Sequence, residues 1–280
     1  MEESIKKNFP LFVLPTLIAF LIAFIIPFIL GLYLSFAEFT TVADAKFVGF
    51  DNYIKAFANR DFINSLTFTV KLTIVAIISI NVLAFCLALL LTRKVKGRNI
   101  FRTVFFMPNL IGGIVLGYIW QLIINGVLLR FGVTITYKAA YGFWGLVILA
   151  NWQMIGYMMV IYIAGIQNIP PSLIEAAKID GAKPLQILKN VIIPMVMPSI
   201  TICLFLTLSN SFKMFDQNLA LTAGAPAKQT QMLALDIYNT FYGNVGYEGV
   251  GQAKAVVFAI ILAAIGLIQL NITGRKEIEQ

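Results

Sequence analysis

Apolar residues fill six stretches of this chain almost without interruption: about 9–36, 66–92, 103–125, 143–166, 195–219 and 253–272. Runs of that length cross a bilayer as helices, because a helix satisfies its own backbone polar groups in hydrocarbon. The pattern predicts an all-α integral membrane protein, one transmembrane domain over residues 1–280 with six transmembrane helices. The first run is too long for a signal-peptide core and no small-x-small cleavage site follows it, so it reads as an uncleaved span. Pro15 and Pro27 are tolerable there where neighbouring helices re-satisfy the backbone. Pro108 is expected to start or kink the third span, and Pro198 stands near the start of the fifth. Gly113 and Gly117 form a GxxxG pair that lets another helix come close.

Three polar stretches interrupt this pattern. Residues 37–64 mix Glu38, Asp44, Asp51 and Asp61 with Lys46, Lys55 and Arg60, and FVGFDNYIKAF within them reads as a short amphipathic segment. Residues 222–251 hold LTAGAPAKQTQ, which reads as a turn and surface segment. The stretch GIQNIPPSLIEAAKIDGAKPLQILKNVIIP, residues 165–194, carries the most local structure. Pro170 and Pro171 fit just outside a helix. Ser172 and Glu175 have the spacing of a capping box, which predicts a helix from about Leu173 to Ile179 or Asp180. Gly181 suits the left-handed residue that ends it, and Pro184 suits the first turn of a second helix. The first helix presents Leu173, Ala176, Ala177 and Ile179, a small-residue face able to dock closely into a groove.

Charge assigns the sides. The composition is 59% hydrophobic and 12% charged, where a soluble domain is about a quarter charged. The net charge of +8 would suit nucleic acid, but the basic residues sit in short loops between spans, so no nucleic-acid partner is expected. Lys6, Lys7, Arg93, Lys94, Lys96, Arg98, Arg102, Lys178, Lys183, Lys189, Arg275 and Lys276 fall on one side of a six-span topology. Lys46, Lys55, Arg60, Arg130, Lys138 and Lys228 fall on the other, so the balance is twelve against six. The richer side is the cytoplasm. Both termini and the 167–194 loop are therefore expected there, in a multi-pass protein of the cell membrane surrounded by lipid. Lys71, Lys213 and Lys254 stand near span ends and are left out of this count; Lys71 lies close enough to its outer end to snorkel.

Little catalytic chemistry is available. There is no histidine, and the two cysteines, Cys86 and Cys203, both lie inside spans, so neither a Ser-His triad nor a metal site is expected. Gly246 to Gly251 has the glycine spacing of a P-loop but continues with Gln252-Ala253 where lysine and Ser/Thr are needed. The chain is therefore not expected to bind nucleotide, and it reads as a transport protein, not an enzyme. Polar groups inside spans are costly and tend to face a cavity or each other. In the fifth span Asn210, Lys213, Asp216 and Gln217 recur at helical spacing, and Lys213 can pair with Asp216. Tyr118, Trp120, Gln121 and Asn125 in the third span, with Asn151, Trp152, Gln153 and Tyr157 in the fourth, combine aromatic faces with amides. Such walls suit a sugar, and the same residues also join helices. Tyr118, Gln121, Asn151, Trp152, Asn210, Lys213, Asp216 and Gln217 are the candidate substrate-path residues.

Glu175-Ala176-Ala177, Asp180-Gly181-Ala182 and Ile193-Pro194, in that order and in that loop, resemble the EAA loop of ABC importer permeases. The form EAAKIDGA is most similar to the carbohydrate-uptake branch, and FRTVFFMP, SFKMFD and Trp152 resemble its third, fifth and fourth spans. The resemblance implies a cytoplasmic coupling helix between spans 4 and 5 that sits in a cleft of an ATPase. Glu175, Ala176, Ala177, Asp180 and Gly181 would be the coupling residues. It implies a second homologous permease subunit, two copies of an ABC ATPase that use ATP and Mg, and an extracytoplasmic solute-binding protein that delivers a sugar or oligosaccharide. No cofactor or metal is implied on this chain. An ion-gradient-driven secondary transporter or channel is the alternative: it accounts for six spans and a Lys213/Asp216 relay, and it leaves the EAA loop without a task.

Overall fold

The computed structural model describes residues 13–93 and 96–274, and among these helices dominate. Helix α1 spans Val13–Leu34. A two-residue antiparallel ladder pairs β1 (Ala37–Glu38) with β2 (Lys46–Phe47). Then follow α2 (Asp51–Ala58), α3 (Arg60–Leu91), α4 (Arg98–Phe106), α5 (Gly113–Leu128) and α6 (Ala139–Gln167). The second half of the chain holds α7 (Pro171–Ile179), α8 (Pro184–Met195), α9 (Met197–Phe212), α10 (Asp216–Leu221), α11 (Leu233–Gly243) and α12 (Glu248–Gly274). Among the described residues five helices are long and apolar enough to cross a membrane, α1, α3, α5 with its short extension to Phe131, α6 and α12. The pair α8 and α9, bent by 71°, makes a sixth if it counts as one span. Lys6, Lys7, Lys94, Arg275 and Lys276 lie outside the described residues.

The departures from the expected boundaries have local causes. α3 starts at Arg60, before the expected 66, because the Asn59 Oδ1 accepts from the N–H groups of Asp61 (2.8 Å) and Phe62 (3.3 Å) and caps the helix. The third span is divided: α4 passes into a 3₁₀ turn at Met107–Leu110 that contains Pro108, and α5 begins only after the extended Ile111. The fifth is broken at Val196, between Pro194 and Pro198, neither of which has an N–H for the helix ladder. Its helix then ends at Phe212, so residues 210–217 do not form one continuous helical face.

Two units divide the chain. In the unit of Met1–Phe62 with Ile237–Ala259, Leu34, Ala37 and Phe39 form a small core with Ala45 and Phe241. Beside β1, Asp44 Oδ1 accepts from the backbone N–H groups of Thr41 and Thr40, and these bonds hold its carboxyl below the ordinary range. Lys254, near the start of the sixth span, turns inward. It is fully buried, its Nζ donates to the Thr240 hydroxyl at 2.8 Å, and it stands 5.2 Å from the Phe62 ring centroid. Hydrogen bonding and a ring face offset the cost of burying an ammonium.

In the unit of Ile63–Asp236 with Ile260–Gln280, small residues along α3 (Ala76, Ala84, Ala88) let α6 pack against it through Leu149, Met158 and Met159. A polar ladder runs through this core: Tyr162 Oη donates to Asn81 Oδ1 (2.7 Å), and Asn81 Nδ2 donates to Thr207 Oγ1 (3.2 Å), joining α6, α3 and α9. Gly113 and Gly117 of α5 do receive a close helix. A Cβ at Gly117 would lie 2.7 Å from Ala220 Cβ and one at Gly113 would lie 2.7 Å from Asp216 Cβ, both on α10.

The 222–231 segment is tied down more tightly than a surface turn. Its tip, Ala227 to Gln229, and Ala223 are exposed, while Thr222, Thr230 and Gln231 are buried. The fully buried Asn218 holds both sides of it: Nδ2 donates to Thr222 Oγ1 (3.0 Å) and to the Thr230 carbonyl (2.8 Å), and Oδ1 accepts from Met232 N–H (2.9 Å). Asn218→Ala therefore strands a buried donor and a buried acceptor, a loss of about 2–4 kcal/mol. The expected outcome is cleavage at the 227–229 tip by dilute protease under conditions that leave the parent chain intact.

Candidate functional site

The 165–194 stretch folds as two short helices around a sharp turn. Pro170 is extended (φ −57, ψ 126) and Pro171 opens α7, where a missing N–H costs nothing. Ser172 thus lies inside the helix and makes no capping hydrogen bond, so the expected capping box does not form; the double proline sets the start instead. The end is as expected. Asp180 N–H bonds to Ala176 O, Gly181 N–H to Lys178 O and Ala182 N–H to Ala177 O, and Gly181 takes φ +77, a left-handed geometry that suits glycine. Lys183 N–H then donates to Gln186 Oε1 at 2.7 Å, which closes the first turn of α8 at Pro184.

This pair of helices offers a surface. Glu175, Ala176, Asp180 and Gly181 are exposed and Ala177 is half-buried. Ile179 and Leu185 are 85% and 74% exposed and, with Leu173, leave apolar side chains on the outer side of this pair. Ile174 turns the other way and packs on the core with Ile166. Between α7, α8 and the ends of α3 and α6 lies a groove of about 830 Å³, lined by Leu89, Arg93, Ile166, Ile174, Lys178 and Leu188 among others.

The path candidates separate into two groups. Gln217 Nε2 donates to Gln153 Oε1 at 2.9 Å, and Gln153 Nε2 donates to the Ile111 carbonyl at 3.4 Å, so α10, α6 and the break before α5 meet in one amide seam. Asp216 lies against it beside Gly113. Trp120 and Trp152 meet edge to face with centroids 5.7 Å apart, and Trp152 and Tyr118 are exposed. The second group holds helices together. Gln121 Nε2 donates to Leu221 O (3.0 Å), and Asn125 Oδ1 accepts from Ile135 N–H (2.8 Å). Asn151 Nδ2 donates to Ser79 Oγ (2.9 Å) and Val147 O (2.8 Å). Asn210 and Lys213 are exposed and stand apart, and no ion pair joins Lys213 to Asp216 among the described residues. Asn81, Thr207 and Asn218 were missed; Asn81 was the legible one, an amide in the middle of an apolar run. Among the described residues no group of three His, Cys, Asp or Glu is placed to hold a metal.

Comparison with known proteins places this geometry in context. Residues 80–275 match the model of the family described as binding-protein-dependent transport system inner membrane component. The chain is 47% identical over 277 residues to the probable starch degradation products transport system permease protein AmyD of Thermoanaerobacterium thermosulfurigenes, covering 96% of this chain and 94% of that protein. It is 30% identical to the multiple sugar-binding transport system permease protein MsmF of Streptococcus mutans, covering 89% of each. In fold it is similar to a chain of a bacterial ABC transporter involved in the import of the acidic polysaccharide alginate, with a TM-score of 0.83 at 22% identity over 98% of both chains.

Proposed function

We propose that this chain, which belongs to the family of inner membrane components of binding-protein-dependent transport systems, is one permease subunit of an ATP-driven sugar importer. Its companions are a second, related permease, two copies of a cytoplasmic ATPase and an extracytoplasmic binding protein that delivers the sugar. The relative at 47% identity is named for starch degradation products, so glucose oligomers are the first substrate class to test. The Lys/Arg imbalance supports cytoplasmic termini and a cytoplasmic 165–194 loop.

The observation that carries this reading is the exposed α7, closed by Gly181, with apolar residues left uncovered and Ile174 on its inner side packed on the core. Such an element docks on an outside protein and transmits its movement. ATP binding closes the ATPase pair and shifts α7 and its counterpart, the spans open outward to receive sugar, and hydrolysis resets them. Transmission requires that the loop contact the two ATPase states differently. The coupling residues are Glu175, Ala176, Ala177, Asp180 and Gly181, and ATP and Mg act on the partner ATPase. The test is uptake of a labelled malto-oligosaccharide into proteoliposomes holding both permeases, the ATPase and the binding protein. Uptake that needs ATP inside the ATPase compartment supports the reading; uptake that ignores ATP and follows a proton or sodium gradient favours a secondary transporter.

Within the spans, the Gln153–Gln217 seam with the Trp120–Trp152 wall is the proposed substrate contact. Gln217→Ala removes one amide and is expected to raise the sugar concentration for half-maximal uptake about three- to tenfold. Basal ATPase activity and expression should stay unchanged. A purely structural role for Gln217 would lower the thermal stability and leave the concentration dependence where it was.

A further inference from the structure

The aromatic segment after the first span has no part in the function proposed above. The described part of α1, Val13 to Leu34, already makes about 33 Å of helix at 1.5 Å per residue. That is enough to cross a hydrocarbon core of about 30 Å, and the polar Ser35, Glu38, Thr40 and Thr41 that follow mark the exit from it, so the residues just beyond Leu34 sit at the level of the lipid headgroups.

α2 is bound to this point. Asn52, almost fully buried, donates from Nδ2 to Ser35 O (3.0 Å) and Ala37 O (2.8 Å). The Tyr53 and Ser35 hydroxyls share a hydrogen bond of 2.6 Å. The Phe36 ring stands 5.3 Å from Phe50 and 5.1 Å from Tyr53. α2 therefore cannot swing away from the end of the span.

At 100° per residue, α2 has three faces. Asn52 and Ala56 are buried, 3% and 0% exposed, against the rest of the unit. Asp51 and Lys55 form an ion pair of 2.6 Å on a second, wetted face. The third carries Phe50, Ile54 and Phe57, which are 69%, 67% and 53% exposed, and Phe47 just before the helix adds another ring at 69%. Three large apolar side chains on one face, with the Phe47 ring of β2 near them, held at headgroup depth, match the surface of a lipid layer: an amphipathic helix in the interface buries its apolar face about 5–10 Å into the headgroup–acyl boundary.

We propose that α2 is a membrane-interface anchor, with Phe47, Phe50, Ile54 and Phe57 immersed among phospholipid acyl chains and Asp51 and Lys55 facing water. The anchor fixes the depth and tilt of α1. It rests on the length of α1 and on the Asn52 tether, and it holds whatever the transported solute is.

The test uses Phe50→Cys, Ile54→Cys and Phe57→Cys, with Asp51→Cys and Lys55→Cys as the wetted-face set, each in a Cys86→Ser background (Cys203 is buried). Each is labelled with a thiol-reactive bimane and reconstituted with its partner subunits into vesicles containing phosphatidylcholine brominated on its acyl chains. Bromolipid should remove most of the fluorescence at 50, 54 and 57 and little at 51 and 55, while iodide in the water does the reverse. Iodide quenching that is equal at all five positions overturns the proposal. So does protection at 50, 54 and 57 that appears only when the binding protein is added, since the face would then be a protein-docking surface. Because the labels replace exposed side chains and each sample is read only after size-exclusion confirms assembly, a failure to fold is not mistaken for either result.

Discussion

Glu175→Lys leaves a chain that inserts and assembles its spans but no longer couples to ATP hydrolysis. Glu175 is exposed on α7 and makes no hydrogen bond or ion pair among the described residues, so folding loses at most a few tenths of a kcal/mol. Reversing a charge inside a protein interface costs far more, about 2–5 kcal/mol. The expected result is a loss of at least about 30-fold in ATP-driven uptake and in stimulated ATPase activity, with wild-type amounts of the permease in the membrane. Gly181→Val reaches the same end by another route. A Cβ at Gly181 meets nothing within 4 Å, so crowding plays no part, but its φ of +77 is strained for any side chain and worst for a branched one. A cost of about 1–2 kcal/mol lowers the population of the docked turn about 5- to 30-fold. Uptake in proteoliposomes, normalised to membrane protein, reads both.

Gly156→Leu should abolish the folded subunit altogether. Gly156 lies in the middle of α6 where α4 crosses it, and an added Cβ would fall on the Phe105 carbonyl and within 2.7 Å of Phe106 N. That obstacle is backbone and cannot rotate away. Accommodating a leucine means separating α4 from α6, and with it the 3₁₀ turn at Met107–Leu110 that packs on α6. Overpacking a well-filled contact costs about 1–3 kcal/mol where side chains can yield, and more where they cannot. We expect no monodisperse protein by fluorescence-detected size-exclusion, whereas Gly126→Leu, a glycine with open space around it, should express normally.

These contrasts show which features the sequence could carry. Hydrophobic run length is a strong signal because the bilayer requires it, but it does not report where a run is divided: the long helix of the third run begins at Gly113 and that of the fifth ends at Phe212. The Gly181 turn and the Pro184 start were legible because each rests on one residue's backbone preference. The Ser172 cap failed because two prolines competed for the same helix start and Pro171 is better placed at the first position. The face imagined along Asn210, Lys213, Asp216 and Gln217 assumed one unbroken helix. The structure ends that helix at Phe212, and it is Gln217 that meets Gln153, from a different span. No periodicity within one segment reports such a pairing. Nor does it report that Lys254 turns inward, or that Asn151 bonds to Ser79 on α3 and not to an open path. Those outcomes depend on which helices touch.

The proposed account stands on α7 being the place where an ATPase grips the spans. The direct measurement puts a photo-crosslinking amino acid at Ile179, the most exposed apolar residue of the loop, in the reconstituted complex. The account predicts a covalent adduct between this chain and the ATPase subunit, with a yield that changes when ATP is trapped at the ATPase pair. An adduct with lipid alone, in a complex that still hydrolyses ATP and imports sugar, would contradict it.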